Sequence, residues 1–241
     1  MYTIAPLTNV ALCAKAMEMI TGVGDTDGLD RLVCLYGKTG TGKSVAATYT
    51  ANKYDAYYVE CRSVWTKKSL LEGICRAVEI APQSTMARMV DEIARTLVAS
   101  GKPLIIDEMD HVVERKAVDI IRDIYQASSA PILYIGEEKL PTKLAGWTQF
   151  FGRTKEWIQA VKGTPEDARV LAHFYCRRGV NIADDLLADM VNATGGLIRL
   201  MCTNIARIEE ESLTMGTTEI DLPTWKKWNK GYLTGNVRVT N

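Results

Sequence analysis

Gly37-Lys38-Thr39-Gly40-Thr41-Gly42-Lys43-Ser44 places glycine, glycine, lysine and serine at the spacing G-x-x-x-x-G-K-S, the pattern of a phosphate-binding loop. Just before it, Leu32-Val33-Cys34-Leu35-Tyr36 is a short apolar run with the length and β-branching of a buried strand. Just after it, Val45 to Ala51 can continue as a helix. A strand, a glycine loop and a helix form the context the motif needs. The loop must turn its N–H groups inward around an anion, and glycine permits the backbone angles and close approach this demands. The new helix aims its positive end at the same anion. Residues Gly37, Lys38, Thr39, Gly40, Thr41, Gly42, Lys43, Ser44 and Val45 are therefore expected to cradle a nucleoside triphosphate, with Lys43 on its β- and γ-phosphates. The Ser44 hydroxyl would complete the shell of a Mg²⁺ ion.

The chain of 241 residues is long enough for one or two domains, and its 47% hydrophobic content is that of a globular protein. Lys plus Arg and Asp plus Glu both number 29, so overall charge does not announce nucleic-acid binding and any basic surface must be local. No apolar run is long enough to span a membrane, so no membrane partner is expected. The start, Met1-Tyr2-Thr3-Ile4-Ala5-Pro6, does not read as a signal peptide. The six cysteines are scattered without a C-x-x-C pair and read as reduced core residues of a cytoplasmic protein.

In chain order, residues 7–20 carry a helical pattern with Thr8 or Asn9 as N-cap, and a Gly/Asp-rich loop runs from Gly22 to Gly28. A second strand spans Ala56–Cys61, a helix opens at Trp65 and breaks by Pro82, and another spans Ser84–Ala99. The third strand is Leu104-Ile105-Ile106-Asp107-Glu108. An apolar run ending in Asp-Glu downstream of a glycine loop matches the Walker B pattern. A mid-sheet strand delivers its last residues to the edge where the glycine loop also sits. Asp107 would hold Mg²⁺ through its water shell, and Glu108 would orient and polarise the attacking water. His111–Ser128 reads as one long amphipathic helix, and Pro131–Gly136 as a fourth strand ending at Glu137. Alternating strands and helices predict an α/β three-layer domain with a mostly parallel sheet.

After Gly163 no strong strand run remains. Thr164-Pro165-Glu166-Asp167 combines a capping hydroxyl, a proline at N1 and first-turn acids. It opens a helix that ends at Arg177-Arg178-Gly179. Further helices are expected over 182–193 and 197–215. A last short one, Pro223–Lys230, is basic with interleaved tryptophans, which suits a packed Trp pair under a solvated lysine face as well as it suits binding of DNA or protein. The expected division is an α/β domain over 1–162, a small all-helical lid over 163–216, and a short helix and polar tail over 217–241. His111 and His173 have no ligand-spaced partners.

This layout resembles the AAA+ ATPases, a P-loop NTPase class. Gly195-Gly196-Leu197-Ile198-Arg199-Leu200 is similar to their lid motif, which implies that Arg199 is a sensor 2 residue on the γ-phosphate. Arg153, in Phe151-Gly152-Arg153-Thr154, lies where these proteins place an arginine finger for the neighbouring subunit; Arg169, Arg177 and Arg178 compete for that role. Glu137 occupies the sensor 1 location, where a neutral polar residue is usual, and a carboxylate beside a phosphate must be displaced, protonated or paired. The stretches Ile106–His111, Ile120–Tyr125 and Ile132–Pro141, with their I-G-E-E-x-L-P segment, resemble the phage Mu transposition protein B family and its relatives among Tn7-type transposition regulators.

That resemblance implies ATP bound at subunit interfaces, with Lys43, Ser44, Asp107 and Glu108 from one subunit and Arg153 from the next. It also implies self-assembly as a helical filament or ring on duplex DNA, and stimulation of a transposase, with hydrolysis dismantling the assembly. The phage Mu protein also carries an N-terminal DNA-binding helical domain, for which the position of the loop at residue 37 leaves no room. DNA contact is then left to the ATPase ring or the C-terminal tail. Arg62, Lys67 and Lys68, clustered with Trp65, are candidates for phosphate contacts, or simply a solvated face. A replication-initiator or helicase-loader ATPase, a secretion-associated ATPase and a non-catalytic switch module are the alternatives.

Overall fold

The computed structural model describes residues 4–22 and 30–235. Most of the expected Gly22–Gly28 loop and the last residues of the polar tail fall outside them. The described chain divides into two compact units, one of residues 10–38 and 43–160, the other of 4–9, 39–42 and 161–235.

The first unit runs α1 (Thr8–Thr21, of which residues 8 and 9 belong to the other unit), β1 (Leu32–Gly37), α2 (Lys43–Lys53), β2 (Tyr57–Glu60), α3 (Lys67–Ala77), α4 (Met86–Ser100), β3 (Leu104–Asp107), α5 (Met109–Glu114), α6 (Val118–Ser128), β4 (Ile132–Glu137), α7 (Leu140–Leu144), α8 (Thr148–Phe151) and β5 (Thr154–Gln159). Its strands form one parallel sheet in the order β2-β3-β4-β1-β5. Leu32 to Leu35, Leu104 to Ile106 and Ile132 to Ile135 are buried without alternation, because a parallel sheet is covered on both faces. Each such side chain contributes about 1.5–3 kcal/mol. All ladders run the same way, so β1, β3 and β4 end at one edge, where Gly37 pairs with Glu137.

The structure departs from the sequence reading at two places in this unit. The helix read over 111–128 is two helices, α5 and α6. Lys116 adopts a left-handed backbone (φ 51°), its N–H donates to Val113 O (2.9 Å), and Ala117 N–H donates to Val112 O (3.0 Å). This is a Schellman closure built on lysine where glycine is usual, so the sequence carried no stop signal. The second is β5, a strand over residues to which the sequence reading assigned no element. It is an edge strand, half-covered, with Lys155 and Glu156 exposed, and charge on an edge is how sheets avoid further pairing.

The second unit contains α9 (Pro165–Tyr175), β6 (Asn181–Ile182), α10 (Asp184–Thr194), α11 (Ile198–Thr214), β7 (Glu219–Ile220) and α12 (Leu222–Lys227). Leu171, Leu187, Met190, Met201, Ile205, Ile208, Ile220 and Trp225 fill its core. It is not all-helical: β6 and β7 form a two-residue parallel pair, Asn181 with Glu219 and Ile182 with Ile220. Helix α9 also stops earlier than expected, at Tyr175, where Cys176 N–H donates to Ala172 O (2.8 Å). No helix among the described residues is long and apolar enough to cross a membrane, and all six cysteines are free.

The capping box at Thr164 is present. Thr164 N–H donates to Asp167 Oδ2 (2.9 Å) and Asp167 N–H to Thr164 Oγ1 (3.2 Å). Asp167 does more than close its own helix, because Thr8 N–H donates to its Oδ1 (2.8 Å). Thr8 is therefore a helical residue capped by Asp167, and not itself the cap. One carboxylate satisfies orphan donors at two helix starts. Asp167→Ala is expected to lower stability by about 1–2 kcal/mol, measured by urea denaturation, with Asp167→Asn recovering part of the loss.

Candidate nucleotide-binding site

In the sheet unit, Gly37 closes β1 and Lys43 opens α2. The Lys43 ammonium donates to the carbonyls of Gly37 (2.8 Å) and Lys38 (3.0 Å). Burial lowers its pKa, while the carboxylates of Asp107, Glu108, Glu137 and Asp110 act in the opposite sense. Ser44 and Val45 are exposed in the first turn of α2.

Asp107 ends β3 and is 2% exposed. Glu60 is its ladder partner, and Cys61 N–H donates to its carbonyl (3.0 Å). Its Oδ1 accepts the Glu108 N–H (2.8 Å) and its Oδ2 accepts the Tyr58 hydroxyl (3.0 Å). Burial first, then Asp107, pushes the Tyr58 phenol far above its ordinary value, so it stays a donor. Glu108 turns the chain from β3 into α5 in a left-handed conformation (φ 56°, ψ 42°). That conformation costs a non-glycine residue on the order of 1–3 kcal/mol, and such outliers cluster at functional sites. Burial, then Asp107, raises the Glu108 carboxyl pKa.

Glu137 is the exposed last residue of β4. Its N–H donates to Asp110 Oδ2 (2.6 Å), and Asp110 Oδ1 accepts from Lys143 Nζ (2.8 Å), which also reaches Glu114 (3.3 Å). Sequence reading missed Asp110. Its signals were an acid in the first turn after Asp107-Glu108 and a glycine at 136. A Cβ on Gly136 would collide with the Asp110 carboxylate and the Leu140 side chain, so glycine is required there for the buried carboxylate to reach the strand end.

Arg153 precedes β5, and its Nη1 lies 3.6 Å from Asp30 Oδ1. Asp30 also accepts from the Tyr125 hydroxyl (3.2 Å). Because Leu32 pairs with Thr154, this cluster sits at the amino edge of the sheet. The six residues of β1, about 20 Å of strand, separate it from Lys43. The competing arginines are engaged: Arg169 with Asp184 (2.6 Å), Arg178 with the buried Glu209 (3.2 Å) and Arg177 with the Phe174 carbonyl (3.3 Å).

Arg62, Lys67 and Lys68 are exposed before and within the start of α3, with Lys68 loosely paired to Glu72 (3.9 Å). Trp65 is half-buried, with the outer edge of its six-membered ring against Gly73. His111 faces Glu114 (3.5 Å) and His173 packs edge-on to Phe174. Among the described residues no three His, Cys, Asp or Glu groups come together as a metal cluster. A Mg²⁺ ion here would have Asp107 as its carboxylate and take its other ligands from water and phosphate, which is how this ion is commonly held.

In the second unit, Gly40 and Gly42 have φ of 86° and 88°, a region that side chains other than glycine rarely enter. The Gly40 carbonyl accepts the Arg199 N–H (3.1 Å). Arg199 is the second residue of α11, with its side chain exposed. Thr41 is buried, and its carbonyl accepts from Asn9 Nδ2 (2.8 Å). Asn9, expected as a helix cap, instead bridges the loop tip to Val161, donating to its carbonyl (2.8 Å) and accepting its N–H (2.9 Å). The tryptophans of the last helix are packed: Trp225 is buried, stacked on Tyr232 (6.0 Å, 26°) and edge-on to Trp228 (6.3 Å). Lys230 pairs with Glu211 (2.8 Å).

Residues 26–144 match the family model described as AAA domain. The fold is that of the AAA+ P-loop NTPases. The chain is similar in structure to the Aeropyrum pernix ORC2 protein, solved as ADPNP-ADP complexes (TM-score 0.68, 13% identity, 94% of this chain and 69% of that one). It is also similar to Cdc6p from Pyrobaculum aerophilum (TM-score 0.64, 14% identity, 91% and 66%) and to a katanin structure concerned with self-assembly (0.57, 16%, 96% and 75%). No curated protein matches the sequence.

Gly136→Ala tests the packing at the end of β4. It is expected to cost about 1–3 kcal/mol, read by urea denaturation. A variant as stable as the parent would mean that Asp110 can move away freely.

Proposed function

We propose that this protein is an ATP hydrolase that assembles on duplex DNA as a filament or ring, selects or delivers target DNA, and activates a transposase. ATP with Mg²⁺ is the switch. The observation that carries the reading is the arrangement at the carboxyl edge of the sheet, with Lys43 at the start of α2 and Asp107 and Glu108 at the end of β3. Lys43 binds the β- and γ-phosphates, Ser44 and Asp107 serve the metal's shell, and Glu108 orients the attacking water. The strained backbone at Glu108 suits a residue held for chemistry. Arg199 acts as sensor 2; the bond from its main chain to Gly40 supports this. Glu137, on the same edge as Lys43, serves the nucleotide as a sensor 1 variant.

Arg153 is the finger for a neighbour. Its place at the opposite end of β1 from Lys43 supports a role toward a neighbour's nucleotide rather than its own, and it is partly exposed beside Asp30. Charge on the transferring phosphate is then stabilised only in the assembly, so hydrolysis depends on it. Arg62, Lys67 and Lys68 contact DNA phosphates with little base reading. The transposase role rests on the Ile106–Pro141 sequence resemblance. A second reading, an initiator or helicase-loader ATPase, is favoured by the likeness in fold to ORC2 and Cdc6p.

ATPase activity measured with and without duplex DNA, beside negative-stain imaging, tests the proposal; absence of DNA-dependent assembly in ATP would remove it. Glu108→Gln should trap long-lived ATP-bound oligomers, seen as a slowed loss of assemblies after dilution. If it disassembles as fast as the parent, Glu108 is not the water-orienting base. Arg153→Ala and Lys43→Ala should each be inactive alone, and their mixture should regain part of the parent rate, since an intact finger then meets an intact loop. No recovery in the mixture would place Arg153 outside the site.

A further inference from the structure

A carboxylate that holds the water shell of an ion must be aimed, and a strand end does not aim its last side chain by itself. The main chain of Asp107 is fixed by β2, through its ladder partner Glu60 and the Cys61 N–H. Its side chain has two donors. One, the Glu108 N–H, belongs to the backbone and holds Oδ1 (2.8 Å). The other, the Tyr58 hydroxyl on Oδ2 (3.0 Å), is a side-chain contribution from the neighbouring strand.

The ladder explains why that residue is a tyrosine. Tyr58 pairs with Ile105, and residues 105 and 107 share a face because side chains alternate along a strand. Tyr58 is thus the diagonal neighbour of Asp107, a separation that aromatic and long side chains cover. Serine, threonine and asparagine are too short, and phenylalanine reaches but does not donate. One donor on each carboxylate oxygen leaves each with acceptor capacity for the waters of a hydrated cation.

We propose that Tyr58 is a positioning residue for the Mg²⁺ carboxylate, its hydroxyl holding Asp107 in the orientation that receives the water ligands of the ion. The assignment rests on the reading of Asp107 given above. Without the hydroxyl, Asp107 keeps a single donor on its side chain, the Glu108 N–H on Oδ1, and Oδ2 loses the contact that fixes the turn of the carboxylate plane.

Tyr58→Phe removes one oxygen and keeps the ring that packs there. Binding of a fluorescent ATP analogue is followed by anisotropy over a Mg²⁺ titration, with Mn²⁺ uptake in the presence of ATP followed by electron paramagnetic resonance. The variant should bind the analogue without Mg²⁺ as tightly as the parent. The Mg²⁺ and Mn²⁺ concentrations at half-effect should rise about tenfold, the scale of losing a partner that orients a metal ligand. Asp107→Asn marks the complete loss. Superimposable titrations for Tyr58→Phe and the parent would overturn the assignment. So would an equal loss of affinity with and without Mg²⁺, which is what a general packing role gives. If the parent itself shows no Mg²⁺-linked nucleotide binding, the reading of Asp107 fails and the assignment goes with it, an outcome told apart by the parent alone.

Discussion

A parallel sheet covered on both faces delivers the last residues of its strands to one end, and in this protein an ammonium and four carboxylates gather there. The strands β1, β3 and β4 are apolar through their length and stop in Gly37, Asp107 and Glu137. Asp110 enters the same edge from the first turn of α5. Four carboxylates, those of Asp107, Glu108, Asp110 and Glu137, act on one half-buried ammonium, that of Lys43. Such an edge is over-supplied with negative charge for a polyanionic ligand. A divalent cation bound with the phosphates would resolve the conflict, and the ion pair from Lys143 to Asp110 removes one carboxylate from it.

The same edge depends on close backbone geometry. Asp110 reaches the end of β4 only because residue 136 has no Cβ, and Glu108 reaches its place through a left-handed turn. Both sit beside strands whose burial stabilises the unit many times over. The cost of distortion is therefore small against the core that imposes it.

Much of this was legible in the sequence, for physical reasons that differ by element. The glycine loop, the buried strands and the box at Thr164 are local patterns, and local patterns survive folding. The missed parts depended on partners. β5 has no apolar run because an edge strand covered on one side needs none. The break between α5 and α6 uses Lys116 in a conformation that sequence reserves for glycine. Asn9 and Thr8 have the composition of caps, yet their hydrogen bonds go to Thr41, Val161 and Asp167. Asp110 and Tyr58 carry no motif; their meaning lies in the ladder register and in the residues across from them.

The separation of Lys43 and Arg153 along β1 has a consequence for symmetry. A contact that joins the carboxyl edge of one copy to the amino edge of the next uses two different surfaces, so it is heterologous and cannot close as a two-fold dimer. It closes into a ring if the rotation per copy divides a full turn, and otherwise continues as a helix. An open helix of this kind has unlike ends: one terminal copy presents a loop with no arginine facing it, the other an arginine with no loop. If Arg153 serves the neighbour's nucleotide as proposed, the copy without a facing arginine would keep its triphosphate while interior copies hydrolyse it. Such an array would be polar, and its two ends would age differently.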